Sequence, residues 1–205
     1  MKNAQNYSEN IYKEACRYLQ ADGVLDYEKG IPLLKEAAAL GHVKAQYNLG
    51  IFLYQGLGII QSYEEAYRYF TLAAEQGHPR ANYMLGCYYA FGFLFPPSIE
   101  HATHYFRLAA DAGIADAQYD LGVCLLQDKK GPQSEQEAVH YFKLAAEQGN
   151  INALYNLGIC CYEGLGTPPS YEEALHYLEL AVRQKHPKAA KALETVMMTA
   201  YKPNK

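Results

Sequence analysis

Residues 45–80 read AQYNLGIFLYQGLGIIQSYEEAYRYFTLAAEQGHPR, and the chain then repeats them head to tail. Ala45, Ala81, Ala117 and Ala153 open four successive copies, each 36 residues after the last. Self-similarity at a fixed period of this size marks a solenoid or array. Within a copy, Ala45, Leu49, Phe52 and Leu53 share one face of a helix, and Ala66, Tyr69, Phe70, Ala73 and Ala74 share one face of a second. Each copy is therefore predicted to be a helix hairpin.

The copies are also tied by phrases: AQYNLG at 45–50, ANYMLG at 81–86, AQYDLG at 117–122 and ALYNLG at 153–158. Each is answered by a tail: YFTLAAEQGH at 69–78, YFRLAADAG at 105–113, YFKLAAEQGN at 141–150 and YLELAVRQKH at 177–186. On these residues the chain resembles the Sel-one-like repeat (SLR) family, relatives of the tetratricopeptide repeats. The resemblance implies an all-α, right-handed superhelical solenoid of SLR hairpins, and the whole of 1–205 is expected to form one solenoid domain. The full repeats are placed at 45–80, 81–116, 117–152 and 153–188. Subtracting one period from Tyr54, Ser62, Ala73 and Gly77 lands on Tyr18, Asp26, Ala37 and Gly41, so 9–44 is a degenerate N-terminal repeat. Residues 189–205 are expected to form a C-terminal capping helix whose Leu193, Val196 and Met197 close the core.

Hydrophobic residues make up 50% of the chain, enough for a continuous core, and 20 tyrosines with no tryptophan suit thin hairpin cores close to water. The net charge of −4 argues against nucleic acid, which needs a basic stripe to displace counterions. The N-terminus MKNAQNYSENIYKEACRYL has no apolar leader and no run that could span a bilayer. The chain is expected to be cytoplasmic, bacterial and monomeric, with no membrane contact, unless an unusual signal exports it. Five cysteines (Cys16, Cys87, Cys124, Cys160, Cys161) form no CxxC pair; four fall in first helices, where no partner stands on the second helix to bridge to. They read as free thiols serving as small apolar groups.

Ser62, Ser134 and Ser170 stand three residues before Glu65, Glu137 and Glu173, the capping-box spacing; Ser98 meets His101 instead. Gly41, Gly77, Gly113 and Gly149 are placed to end second helices, with Lys185 in that place in the last copy. Gly50, Gly86, Gly122 and Gly158 sit mid-helix, which costs about 1 kcal/mol each relative to alanine. Close approach beneath Tyr69, Tyr105, Tyr141 and Tyr177 is expected to offset it. The turns differ most: GFLFPPS at 92–98 is apolar, DKKGPQS at 128–134 polar. Phe93 and Phe95 either tuck against the neighbouring hairpin or form an exposed contact patch. From Arg183 onward, six basic residues (with Lys185, Lys188, Lys191, Lys202 and Lys205) face Glu194 alone, a solvated end or a docking patch for an acidic partner.

No constellation points to catalysis, so no enzyme activity, metal or cofactor is expected. His104, His140 and His176 share one register, but adjacent helices lie roughly 8 to 10 Å apart, too far for one ion. His101 and His104 are neighbours on one helix without an evident third ligand. Some SLR proteins are connected with β-lactam binding or hydrolysis, yet SENI, SYEE, SIEH, SEQE and SYEE, starting at Ser8, Ser62, Ser98, Ser134 and Ser170, all lack the lysine of S-x-x-K. A β-lactam-related hydrolase or small-molecule binder on this scaffold is the second reading.

The first reading is a protein-protein interaction module. The resemblance implies an adaptor, regulator, effector or immunity type of protein whose first helices line a concave face. The residues opposite the core stripe are Asn48, Ile51, Tyr54 and Gln55; Met84, Cys87 and Phe91; Asp120, Val123 and Gln127; and Asn156, Ile159, Tyr162 and Glu163. Amides there can pair with a peptide backbone, and tyrosine, methionine and phenylalanine are adaptable anchors. A protein or peptide partner is expected on this face.

Overall fold

The computed structural model describes residues 2–19, 25–128 and 130–200. Among them there are eleven helices and no strand. These are α1 (Lys2–Leu19), α2 (Tyr27–Ala39), α3 (Val43–Gln55), α4 (Tyr63–Glu75), α5 (Pro79–Phe91) and α6 (Ile99–Asp111), followed by α7 (Ala115–Gln127), α8 (Pro132–Glu147), α9 (Ile151–Glu163), α10 (Tyr171–Arg183) and α11 (Ala189–Ala200). The chain divides into two compact units, one ending at Tyr105 and one beginning at Phe106, so α6 contributes to both.

In the first unit α1 packs on α2 and α3 on α4, and α2–α3 and α4–α5 contacts join successive hairpins. Leu34, Leu49, Leu53, Phe70, Leu85 and Tyr88 fill its core. The second unit repeats the scheme with α7 on α8, α9 on α10, and α8–α9 and α10–α11 between. Phe106, Leu121, Phe142, Leu157, Leu178 and Val196 are the largest of its fully buried side chains. The glutamine of the AQY phrase has a structural task. Gln46 donates to the Ala38 carbonyl at 3.2 Å and accepts from Gln76 at 2.7 Å. In the second unit Gln118 does the same with Ala110 and Gln148. A buried amide so satisfied fastens each first helix to the preceding hairpin.

The helix starts follow the expected serines with two corrections. Ser62 and Ser170 accept from the Glu65 and Glu173 N–H groups, and Asp26 accepts from Lys29 in the worn copy. The return half of the capping box is taken by backbone instead, since the Ser62 and Ser170 N–H groups donate to Leu53 and Cys161 carbonyls. Ser134 is not a cap at all. Gly131 caps α8 and Pro132, pre-set for a first helical position, starts the helix early. Ser134 is left buried, donating to the Leu125 carbonyl at 2.9 Å, and Glu137 pairs with Arg107. Lys129 of that turn, and Tyr201, Lys202 and Lys205 of the basic end, lie outside the described residues.

The mid-helix glycines are close-approach sites, but the ring above them is one residue further on than expected. A Cβ on Gly50 would lie 2.6 Å from Phe70, and one on Gly122 2.5 Å from Phe142. Gly158 is covered by Leu178. The tyrosines precede the residue that points into the hairpin. At the far end Val196 is buried and Leu193 partly so, whereas Met197 is 43% exposed and does not close the core.

Gly41, Gly77, Gly113 and Gly149 all take positive φ, and Lys185 is forced into the same region at φ 63°. A side chain there costs about 1 kcal/mol. Lys185→Gly is expected to raise stability by roughly 0.5 to 1 kcal/mol, read as an increase in the urea midpoint. A lower midpoint would show that the lysine is held there by something other than helix termination.

First helices start on a device that, Asn150 apart, none of the usual capping residues announces. His42, His78, Asn150 and His186 occupy one register of the period. At α3, α5 and α9 the Nδ1 of His42 and His78 and the Oδ1 of Asn150 accept from the backbone N–H three residues on; His186 Nδ1 accepts from Lys188. Each histidine stacks on a tyrosine, His78 on Tyr47 at 4.5 Å and His186 on Tyr155 at 4.4 Å. His42 stacks on Tyr12 and uses its other nitrogen toward Glu9 at 2.9 Å. An accepting Nδ1 must be unprotonated. Burial, followed by Arg80 and Lys44, holds the His78 pKa below its ordinary 6.5, and burial with Lys188 does the same for His186.

The unfolded chain therefore binds these protons first, and the caps' stabilisation is complete above the unfolded value and lost as pH falls through the folded values. The urea midpoint should drop between about pH 7.5 and pH 5.5. In His78→Asn/His186→Asn, which installs the cap already used at Asn150, the drop should be smaller. An equal drop in both proteins would assign the acid sensitivity to other groups.

Candidate functional site

Because α7 and α9 are consecutive first helices of the second unit, the same register on each faces the same side. Val123, Leu126 and Gln127 from α7 meet Asn156, Ile159 and Cys160 from α9, with Leu165 from the following turn, around a cavity of about 280 Å³. The walls are aliphatic, and Gln127 and Asn156 supply the amides. Val123, Gln127, Asn156 and Ile159 were expected from the sequence; Leu126, Cys160 and Leu165 were not.

The Cys160 thiol is held in its protonated form. Burial, then Cys161, Glu163 and Glu135, pushes its pKa up to about 12, and burial with Glu173 pushes Cys161 to about 11. Cys161 Sγ donates to Glu173 Oε2 at 3.5 Å. Both therefore remain thiols at neutral pH.

The remaining expected residues of this unit flank the pocket's helices. Asp120 is half-buried and Glu163 exposed. Tyr162 is half-buried, with its hydroxyl 3.3 Å from Thr199 of α11.

In the first unit, too, expected residues are engaged with their own chain. Asn48 donates to the Tyr12 hydroxyl at 3.0 Å, and with Ile51 it borders a smaller cavity of about 120 Å³ between α1, α2 and α3. Tyr54 sits against Tyr63, Tyr88 and Phe93. Cys87 is buried and Met84 packs on the core, leaving Gln55 and Phe91 exposed. Phe91 is 66% exposed and touches Phe93.

The GFLFPPS turn tucks inward. Phe93 stacks on Tyr63 of the preceding hairpin at 5.5 Å, and Phe95 stacks on Tyr89. Phe95 stays 39% exposed.

His104, His140 and His176 are exposed, each set edge-on to the next tyrosine. Among the described residues no group of three histidine, cysteine or acidic side chains could hold a metal, and no helix is long and apolar enough to cross a membrane.

The family pattern of the Sel1 repeat matches residues 12–42, 43–78, 79–114, 115–150 and 151–186. It therefore includes the worn first copy and opens each full copy at the helix start, two residues before the alanine.

Among solved structures, a protective antigen of uropathogenic Escherichia coli with an SLR fold is 22% identical, with a TM-score of 0.84 over 97% of this chain. This chain spans 44% of that protein. A Sel1 repeat protein from Oxalobacter formigenes is 26% identical, with a TM-score of 0.78 over 98% of this chain and 82% of its own. An immunity protein of Pseudomonas aeruginosa is 22% identical, with a TM-score of 0.51 over 89% of this chain and 67% of its own. Among curated proteins none matches the chain.

Proposed function

Since the chain belongs to the Sel1 repeat family, whose repeats are in general protein-interaction modules, we propose that it binds a segment of a partner protein and seats one apolar side chain in the α7–α9 pocket. The observation that carries this is the pocket's make-up, aliphatic walls with an amide from each helix. Gln127, and Asn156 through the hydrogen-bonding capacity left beside its bond with Tyr119, would pair with the backbone on either side of the anchor, and Tyr162 and Glu163 would extend the contact along α9. Adaptor, regulator, effector and immunity roles would all use a contact of this kind.

The small-molecule or hydrolase reading is less well supported. The thiol in this wall is held protonated, and among the described residues no hydroxyl or imidazole lines the pocket to act in its place.

Selection from a displayed random-peptide library on the immobilised protein tests the proposal. Enriched peptides should lose roughly thirtyfold in affinity, about 2 kcal/mol, against Ile159→Arg, with the helical spectrum unchanged. Equal binding to that variant would remove the pocket from the contact.

A further inference from the structure

The charges around the pocket narrow the partner's chemistry. The helix α7 carries Asp120 and, in its first turn and 3.4 Å from the Asn150 amide, Asp116; α9 carries Glu163 beside the pocket, and neither helix has a lysine or arginine. The pocket wall itself feels this, because Glu163 and Glu135 both act on Cys160. Among the described residues no lysine or arginine lines the pocket, and Lys130 of the turn after α7 is paired with Asp128 at 2.5 Å. By contrast, the first helices α3 and α5 bear Lys44 and Arg80.

We propose that the segment taken by the α7–α9 pocket is basic, one aliphatic anchor flanked by lysine or arginine, a proposal that rests on the pocket being the contact. The aliphatic walls reject a charged anchor, which would be desolvated without a partner. The acidic flanks reject an acidic segment, because like charges brought together at an interface oppose binding. Glu163 is exposed at the end of α9, one residue past Tyr162, so a flanking cation meets it without leaving water. Such a contact speeds association and fades as salt screens it.

Two doped peptide libraries test this, both with a fixed central leucine, one flanked by lysine and arginine and the other by aspartate and glutamate. The basic library should enrich and the acidic one should not. The selected peptides should bind several-fold more weakly to Glu163→Gln, more weakly still to Glu163→Lys, and more weakly as sodium chloride rises from about 50 to 300 mM. Acidic or neutral peptides that enrich equally and still fail on Ile159→Arg would overturn the charge assignment while leaving the pocket standing. Basic peptides indifferent to Glu163 and to salt would overturn it as well. Enrichment from neither library would overturn the pocket reading and this inference together.

Discussion

Tyr88→Ala should destabilise the first unit by about 4 kcal/mol, as expected when a fully buried aromatic side chain is removed and its site cannot collapse. Tyr88 has no exposed surface and stands where the other full copies carry Phe52, Cys124 and Cys160. Its ring meets Tyr54, Tyr63, Tyr67, Phe70 and Phe93, and its hydroxyl donates to the Tyr63 carbonyl at 2.9 Å. The ring therefore joins α5 to the hairpin before it. Tyr88→Phe keeps the ring and should lose only about 1 to 2 kcal/mol through the missing hydrogen bond. Urea unfolding of the two variants decides the matter. Similar small losses for both would mean that the aromatic cluster adapts around the gap.

Gly122→Val is expected to cost about 3 kcal/mol or more, against the ordinary helix preference, which favours replacing a mid-helix glycine. The new Cβ would stand 2.5, 2.8 and 2.9 Å from three atoms of the Phe142 ring, which is itself fully buried and has nowhere to retreat. The clash has a named partner, so it can be tested as a coupling. In a Phe142→Ala background the added valine should cost much less, an interaction energy of about 1 to 3 kcal/mol between the two sites. Additive losses would show that the glycine is needed for some other reason.

How far the sequence could be read depended on whether the signal was periodic. The hairpins, the Ser62 and Ser170 caps and even Asp26 in the worn copy followed from a single period. Ser134 departs from the serine register because Gly131–Pro132, a pair that itself announces an earlier helix start, begins α8 ahead of it. The lid over Gly122 is Phe142 and not the expected Tyr141, because glycine spacing shows that something approaches without showing which neighbour points inward. The histidine caps went unseen although His42, His78 and His186 recur in register, since histidine is not among the usual capping residues. Of the pocket, the face residues Val123, Gln127, Asn156 and Ile159 were legible. Leu126 lies at the edge of that face and Leu165 comes from a turn, so their convergence depends on tertiary packing that no spacing encodes.

The most direct test of the binding account is a methyl spectrum of protein labelled at isoleucine, leucine and valine, titrated with a peptide from the selection. The account predicts that Val123, Leu126, Ile159 and Leu165 shift together with the peptide's occupancy, while the core methyls of Leu34 and Leu49 in the first unit stay in place. Shifts at Leu57 or Ile60 with the four pocket methyls unmoved would contradict it, and would put the contact on the exposed turn between α3 and α4 of the first unit instead.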